Sequence, residues 1–222
     1  MPTVAITGAA GAIGSATARA FDDAGWSLVL IDYGASNAAS LRDAYPTADV
    51  HDVDLTDRSA TEAAFEAAGA IDAVLAIAGG FAMQAALDAT ADAYAHMLDL
   101  NFQTLFHTAQ AAGPHLTGRS DAPLFMGVSA PAALNGQAQS ALYAASKGAV
   151  AAYLKSLDKE WDDVRVSTLY PMGVVDTPAN REAMPDGDPA SWIATEELAA
   201  SMVHLATRSP RGHLAELKVH AA

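Results

Sequence analysis

Cysteine is absent from the 222 residues. Without a thiol, a disulfide scaffold and thiolate chemistry are excluded, and nothing points to an oxidising compartment. Basic residues are scarce: 12 Lys and Arg stand against 26 Asp and Glu, for a formal charge of −14. A surface that negative repels phosphate backbones and anionic lipid, so neither nucleic acid nor a membrane is expected as a partner. No apolar run approaches the roughly 20 residues of a membrane span. The stretch Met1–Ile6 has no basic region ahead of an apolar one, as a secretory signal would have. Internal repeats and low-complexity linkers are missing too. A soluble, cytoplasmic protein is expected, with 51% hydrophobic residues to build one sizeable core.

Short apolar runs recur along the chain at Val4–Thr7, Ser27–Ile31, Ala48–Val50, Ala73–Ala78, Leu124–Ser129, Val164–Tyr170 and Leu214–Val219. Each is too short for a typical helix. Between them lie Ala-rich segments with helical spacing, at Ile13–Ala24, Thr56–Ala68, Ala91–Ala112, Ser140–Trp161 and Thr195–Thr207, with Thr56 and Thr195 as candidate N-caps. Continuous apolar strands alternating with helices predict an α/β fold, a doubly wound parallel sheet of about seven strands covered on both faces. The chain reads as one domain over 1–222. Pro171–Trp192, with four prolines and two glycines, breaks the rhythm and reads as a short lid over a site.

The first strand runs into Thr7-Gly8-Ala9-Ala10-Gly11-Ala12-Ile13-Gly14 and then a helix. Glycines three apart let a backbone turn sharply beside a pyrophosphate, whose charge the helix N-terminus attracts. Asp32 ends the second strand, where a carboxylate can bond both adenosine ribose hydroxyls and repel a 2′-phosphate. No Arg or Lys lies within Gly8–Gly14 to attract one, so NAD(H) is favoured over NADP(H). Asp54, after the third strand, falls where the adenine edge would lie.

Tyr143-Ala144-Ala145-Ser146-Lys147 sets a phenol and an ammonium one helical turn apart on one face. A phenol with a reference pKa of about 10 is a poor acid or base at neutral pH. A neighbouring ammonium, helped by an oxidised nicotinamide, is expected to favour the phenolate and bring that value into a useful range. Ser129, at the end of the fifth strand, offers a hydroxyl to a substrate carbonyl or alkoxide. In this order the motifs resemble the short-chain dehydrogenase/reductase family over nearly the whole chain. The resemblance implies an NAD-dependent oxidoreductase moving hydride between nicotinamide and a small carbonyl or alcohol. It makes Tyr143 the general acid/base, while Lys147 lowers its pKa and binds the nicotinamide ribose. Ser129 would orient substrate, and Asn101 would support a water chain to the lysine. Ala78 and Gly79, Pro171 and Thr177 join Gly8, Gly11, Ile13, Gly14, Asp32, Asp54 and Leu55 as implied cofactor contacts.

Departures from the family pattern are plain. Ala12 stands where Thr-Gly-x-x-x-Gly-x-Gly has its second glycine. The family's Asn-Asn-Ala-Gly reads Ala76-Ile77-Ala78-Gly79, and its Pro-Gly reads Pro171-Met172-Gly173. Ala78-Gly79-Gly80-Phe81, Asp176-Thr177-Pro178-Ala179-Asn180-Arg181 and Ser191-Trp192 resemble the quinoid dihydropteridine reductases. That branch lacks the serine and the helix asparagine, which this chain has as Ser129 and Asn101. Carbonyl chemistry is therefore the first expectation and NADH-dependent pterin reduction the second, with a non-catalytic NAD sensor a minor alternative. The seven histidines show no metal-binding spacing, and no metal is expected. Phe81, Met83, Met172, Met184 and Trp192 are candidate substrate-pocket residues. An Ala-rich face on the Ser140–Trp161 helix suggests close helix packing in a homodimer or homotetramer.

Overall fold

The computed structural model describes residues 1–221. Among these residues, seven strands form one sheet in the order β3-β2-β1-β4-β5-β6-β7. They are β1 (Thr3–Thr7), β2 (Ser27–Asp32), β3 (Asp49–Asp52), β4 (Ala73–Ala76), β5 (Leu124–Val128), β6 (Arg165–Pro171) and β7 (Glu216–Val219). Every pairing is parallel. The helices are α1 (Ala12–Asp23), α2 (Ala35–Ala44), α3 (Arg58–Ala68), α4 (Ala91–Leu98), α5 (Thr104–Leu116), α6 (Pro131–Asn135), α7 (Ala141–Glu160), α8 (Pro178–Ala183) and α9 (Thr195–Thr207).

Strand parity separates two apolar layers. Val4, Ile6, Leu28, Leu30 and Met126 pack with Phe21 of α1 and Leu198 and Met202 of α9. Ala5, Val29, Val74 and Phe125 face the other way, onto Phe65 of α3, Leu105 of α5 and Val150 and Leu154 of α7. Both faces of the central strands are thus covered, which is why they read as unbroken apolar runs.

Local details depart from expectation. Asp57, not Thr56, caps α3, its carboxylate accepting from Ala60 N at 3.1 Å. Thr195 is the first residue of α9, behind Ala194. The expected Ala91–Ala112 helix is two helices joined by a π-helical turn at Asp99–Gln103. α2 has no counterpart in the sequence pattern, because it buries only Ala38 and Leu41.

The chain winds outward from β1 to β3, then crosses to β4 on the other side of β1. That reversal opens a crevice at the carboxyl ends of β1 and β4, the position where such sheets bind ligands.

Candidate active site

Gly8 leaves β1 with φ +68°, and a Cβ there would sit 2.9 Å from the Ala78 backbone that follows β4. The two loops close on each other at the crevice. Gly11 donates its N–H to Gly8 O at 3.1 Å and is the N-cap of α1. Having no side chain, it offers no cap bond, which leaves first-turn N–H groups available to an anion. Gly14 is buried in that turn, so close to the loop that a Cβ would overlap the Gly8 carbonyl oxygen. Ile13 packs half-buried against the core below.

Asp32 Oδ2 accepts from Ala10 N at 2.8 Å, and Oδ1 accepts from Tyr33 N at 2.9 Å and Asn37 Nδ2 at 2.8 Å. The carboxylate is therefore locked between the glycine turn and α2. Its neighbour in register on β3 is Asp52, which accepts from Gly34 N at 2.7 Å. Sequence reasoning missed Asp52 and Asn37 as partners of Asp32, because strand register and a helical turn bring them there. Asp54 Oδ1 accepts from Thr56 N (2.9 Å) and Thr56 Oγ1 (2.6 Å), shaping the turn after β3. Leu55 is buried, and its carbonyl accepts from Nδ1 of the buried His107 at 2.9 Å, so α5 anchors this loop.

Asn101 lies in the π turn, a widened turn of the kind often found at functional sites. Its Oδ1 accepts from Gly80 N at 3.0 Å, while Nδ2 donates to Gly80 O at 3.0 Å and Ser146 Oγ at 3.2 Å. Ser146 Oγ in turn donates to Tyr143 O at 2.9 Å. Asn101 thus ties the turn after β4 to the turn of α7 that carries Tyr143. A Cβ at Gly79 would lie 2.6 Å from Asn101 Oδ1 and 3.2 Å from Lys147 Nζ, so glycine backbone, amide and ammonium share one small space. Ser146 had no sequence signal beyond its place between Tyr143 and Lys147.

Lys147 is buried, and its Nζ donates to Val128 O at 3.0 Å. Burial pushes its pKa down to about 8. Tyr143 packs edge-on against Phe81, ring centroids 4.8 Å apart, and burial pushes the phenol up to about 12. The phenol thus lies above its ordinary value, and its own burial is the cause. Loss of hydration disfavours the charged phenolate and so raises the phenol.

Ser129 is also buried, with Oγ donating to Lys147 O at 2.9 Å. Its hydroxyl faces α7 rather than the crevice. Pro171 ends β6, paired with Val219. Thr177 Oγ1 caps α8 by accepting from Asn180 N at 3.1 Å. The segment after β6 is pinched at its neck, where Asp176 N donates to Ile193 O and Ile193 N to Val174 O, both at 2.8 Å. Arg181 pairs with both oxygens of Asp176 at 2.6 and 2.7 Å, and Trp192 packs where a side chain on Gly187 would stand. Phe81, Met83 and Met184 remain exposed, while Met172 and Trp192 are partly buried.

Residues 2–187 match the family model of the short chain dehydrogenases. The chain belongs to this family. Bovine L-xylulose reductase is 28% identical over 215 residues, spanning 96% of this chain and 83% of that one. Two solved structures show the shared fold. The 3-ketoacyl-(acyl-carrier-protein) reductase from Brucella melitensis, complexed with NADH, has a TM-score of 0.85 at 22% identity, covering 99% of this chain and 96% of its own. A blue fluorescent protein from a metagenomic library, in complex with NADPH, has 0.87 at 23%, with 99% and 96% covered. As a short-chain dehydrogenase this protein is an oxidoreductase that binds a nicotinamide cofactor. Its residues fit such a group: the turn at Gly8 and Gly14 has room for hydrogen only, and a carboxylate waits at the end of β2. Among the described residues no helix is long and apolar enough to cross a membrane.

Proposed function

We propose that this short-chain dehydrogenase uses NAD(H) to interconvert a small carbonyl compound and its alcohol, with Tyr143 as the proton donor and acceptor. One observation carries the reading: Lys147, Asn101 and the Gly79–Gly80 turn meet at the carboxyl edge of the sheet, one helical turn from Tyr143. Bound nicotinamide supplies or accepts the hydride. Tyr143 holds the proton on its phenolic oxygen and hands it to the substrate oxygen during reduction. Lys147 places a positive charge beside that step, and Asn101 fixes the turn and, through Ser146, the helix that carries the phenol. Gly8, Gly11, Ile13 and Gly14 cradle the pyrophosphate, Asp32 the ribose, and Asp54 and Leu55 the adenine. Ala78, Gly79, Pro171 and Thr177 lie on the nicotinamide side, with the 171–192 lid excluding water. The exposed Phe81, Met83 and Met184 suit a small, partly hydrophobic substrate.

Asp32 and Asp52 support the preference for NAD(H), because a 2′-phosphate beside these neighbouring carboxylates meets like charge. NADH is expected to bind at least about 100-fold more tightly than NADPH, the several kcal/mol of such a juxtaposition. Fluorescence titration with both cofactors reads this directly, and equal affinities would remove the preference. Loss of reduced-nicotinamide absorbance with small ketones, ketoses and a quinonoid dihydropterin then tests the reaction.

The dihydropterin is the second reading. It is favoured by the burial of the Ser129 hydroxyl against α7, which withdraws one of the two features that set this chain apart from that branch, Asn101 being the other.

A cytoplasmic homo-oligomer fits the same reading. Phe102, Phe106 and Tyr153 form a half-buried aromatic cluster between α5, α7 and the π turn, beside the Ala-rich face of α7. Sedimentation velocity should give a dimer or tetramer, and the mass of a single chain at working concentration would count against it.

A further inference from the structure

We propose that Ser129 is a positioning residue for Lys147 and does not hold the substrate oxygen. Strand parity sets its direction. Phe125, Gly127 and Ser129 alternate onto the face of the sheet covered by α5 and α7, where a Cβ on Gly127 would meet Leu154 and Leu105. Ser129 continues that row, and the residue is 2% exposed with its Oγ 2.9 Å from Lys147 O. A serine hydroxyl has one hydrogen to donate. Here that hydrogen serves a helix carbonyl, so none is left for a carbonyl or alkoxide in the crevice.

Lys147 is consequently held at both ends by consecutive residues of the same strand end. Val128 O takes its ammonium at 3.0 Å, and Ser129 Oγ donates to its backbone carbonyl. This double attachment fixes how deep the ammonium sits beneath the turn of Gly79 and Asn101. Removing the Ser129 hydroxyl cuts one of the two ties between the end of β5 and this turn of α7, so the turn can shift and the ammonium gains water. Around Lys147 stand Tyr143 and Ser146 from its own helix, Val128 at the end of β5 and Ser129 just after it, Asn101 from the π turn and Gly79 from the β4 turn. Of these only Tyr143 titrates.

The chain has four lysines, Lys147, Lys155, Lys159 and Lys218, so side-chain nitrogen NMR of the full-length protein can follow each one through a pH titration. In Ser129→Ala the Lys147 midpoint is expected to rise toward the ordinary lysine value by about half a pH unit or more, as rehydration favours the charged form. Ser129→Thr keeps the hydroxyl and should hold the wild-type midpoint. Should the Ala variant fail to fold, Ser129→Cys, whose thiol is a weak donor, carries the same comparison. An unchanged midpoint in Ser129→Ala, or equal shifts in the Ala and Thr variants, would overturn the assignment. The inference rests on Lys147 being the cation of the proposed site, but the readout is titration rather than turnover. Absence of reductase activity would remove the functional reading alone, and a fixed midpoint would remove this one alone.

Discussion

Replacing Tyr143 by Phe is expected to lower turnover by about 10²–10⁴-fold, the range supplied by a positioned proton donor. NADH affinity should stay within about twofold, because an interaction made mainly with the reacting oxygen shows in kcat rather than in binding. The variant is informative because the ring remains. Phe preserves the edge-on contact with Phe81, so packing is kept while one oxygen is lost. The titration behaviour of the site adds a signature in pH. Burial pushes the phenol up to about 12, so at neutral pH Tyr143 carries its proton, the form that the proposed reduction requires. Alcohol oxidation needs the phenolate, whose fraction grows about tenfold per pH unit below that value, and its rate should climb accordingly. Reduction should stay level until Lys147 loses its proton near pH 8 and then decline. Steady-state rates in both directions across this range check the pair. A Tyr143→Phe enzyme keeping more than about a tenth of wild-type turnover would rule out the phenol as the proton donor.

Gly14→Ala should cost the protein both its cofactor and part of its fold. The added methyl would overlap the Gly8 carbonyl oxygen, and the carbonyl carbon and Ala9 Cα would lie within 2.9 Å. These are backbone atoms with little freedom. Gly8 O already accepts from Gly11 N, and the other side of Gly8 is closed by Ala78. Either the turn opens or α1 moves, at about 2–4 kcal/mol by analogy with overpacked cores. For a domain of this size that is a melting temperature lower by roughly 5–15 °C. The same displacement moves the first-turn N–H groups off the pyrophosphate, so NADH affinity should fall by at least about tenfold. Gly148→Ala is the control: a Cβ there meets nothing, and in mid-helix alanine is favoured over glycine by about 1 kcal/mol. Wild-type melting and NADH binding in Gly14→Ala would show that helix and loop are not in close contact.

Much of this molecule is legible without coordinates. Central strands buried on both faces must be apolar throughout, so their runs mark β1, β2, β4, β5 and β6, while the partly exposed edge strands β3 and β7 are only weakly marked; Gly8, Gly14, Asp32, Tyr143 and Lys147 mark the crevice because local spacing alone constrains them. A glycine turn before a helix and two side chains one helical turn apart are short-range facts, fixed within a few residues of chain. α2 escaped notice for the complementary reason that a helix burying only Ala38 and Leu41 leaves no period to read.

What tertiary structure decided depends on residues far apart in the chain. Asp52 comes beside Asp32 through the register of β3 on β2, and His107 reaches Leu55 O across 52 residues. Asn101 meets Gly80 because the helix widens into a π turn, which composition does not announce. The direction of the Tyr143 pKa also turned on packing, since the sequence shows a neighbouring charge but not the loss of water that raises the phenol. Ser129 is the clearest case: its residue type advertised a hydroxyl at the strand end, and strand parity aimed that hydroxyl at the carbonyl of Lys147. Residue type and spacing are local properties that sequence determines. Orientation and hydration are set by what packs against a group, and here they follow from the assembled sheet and its helices.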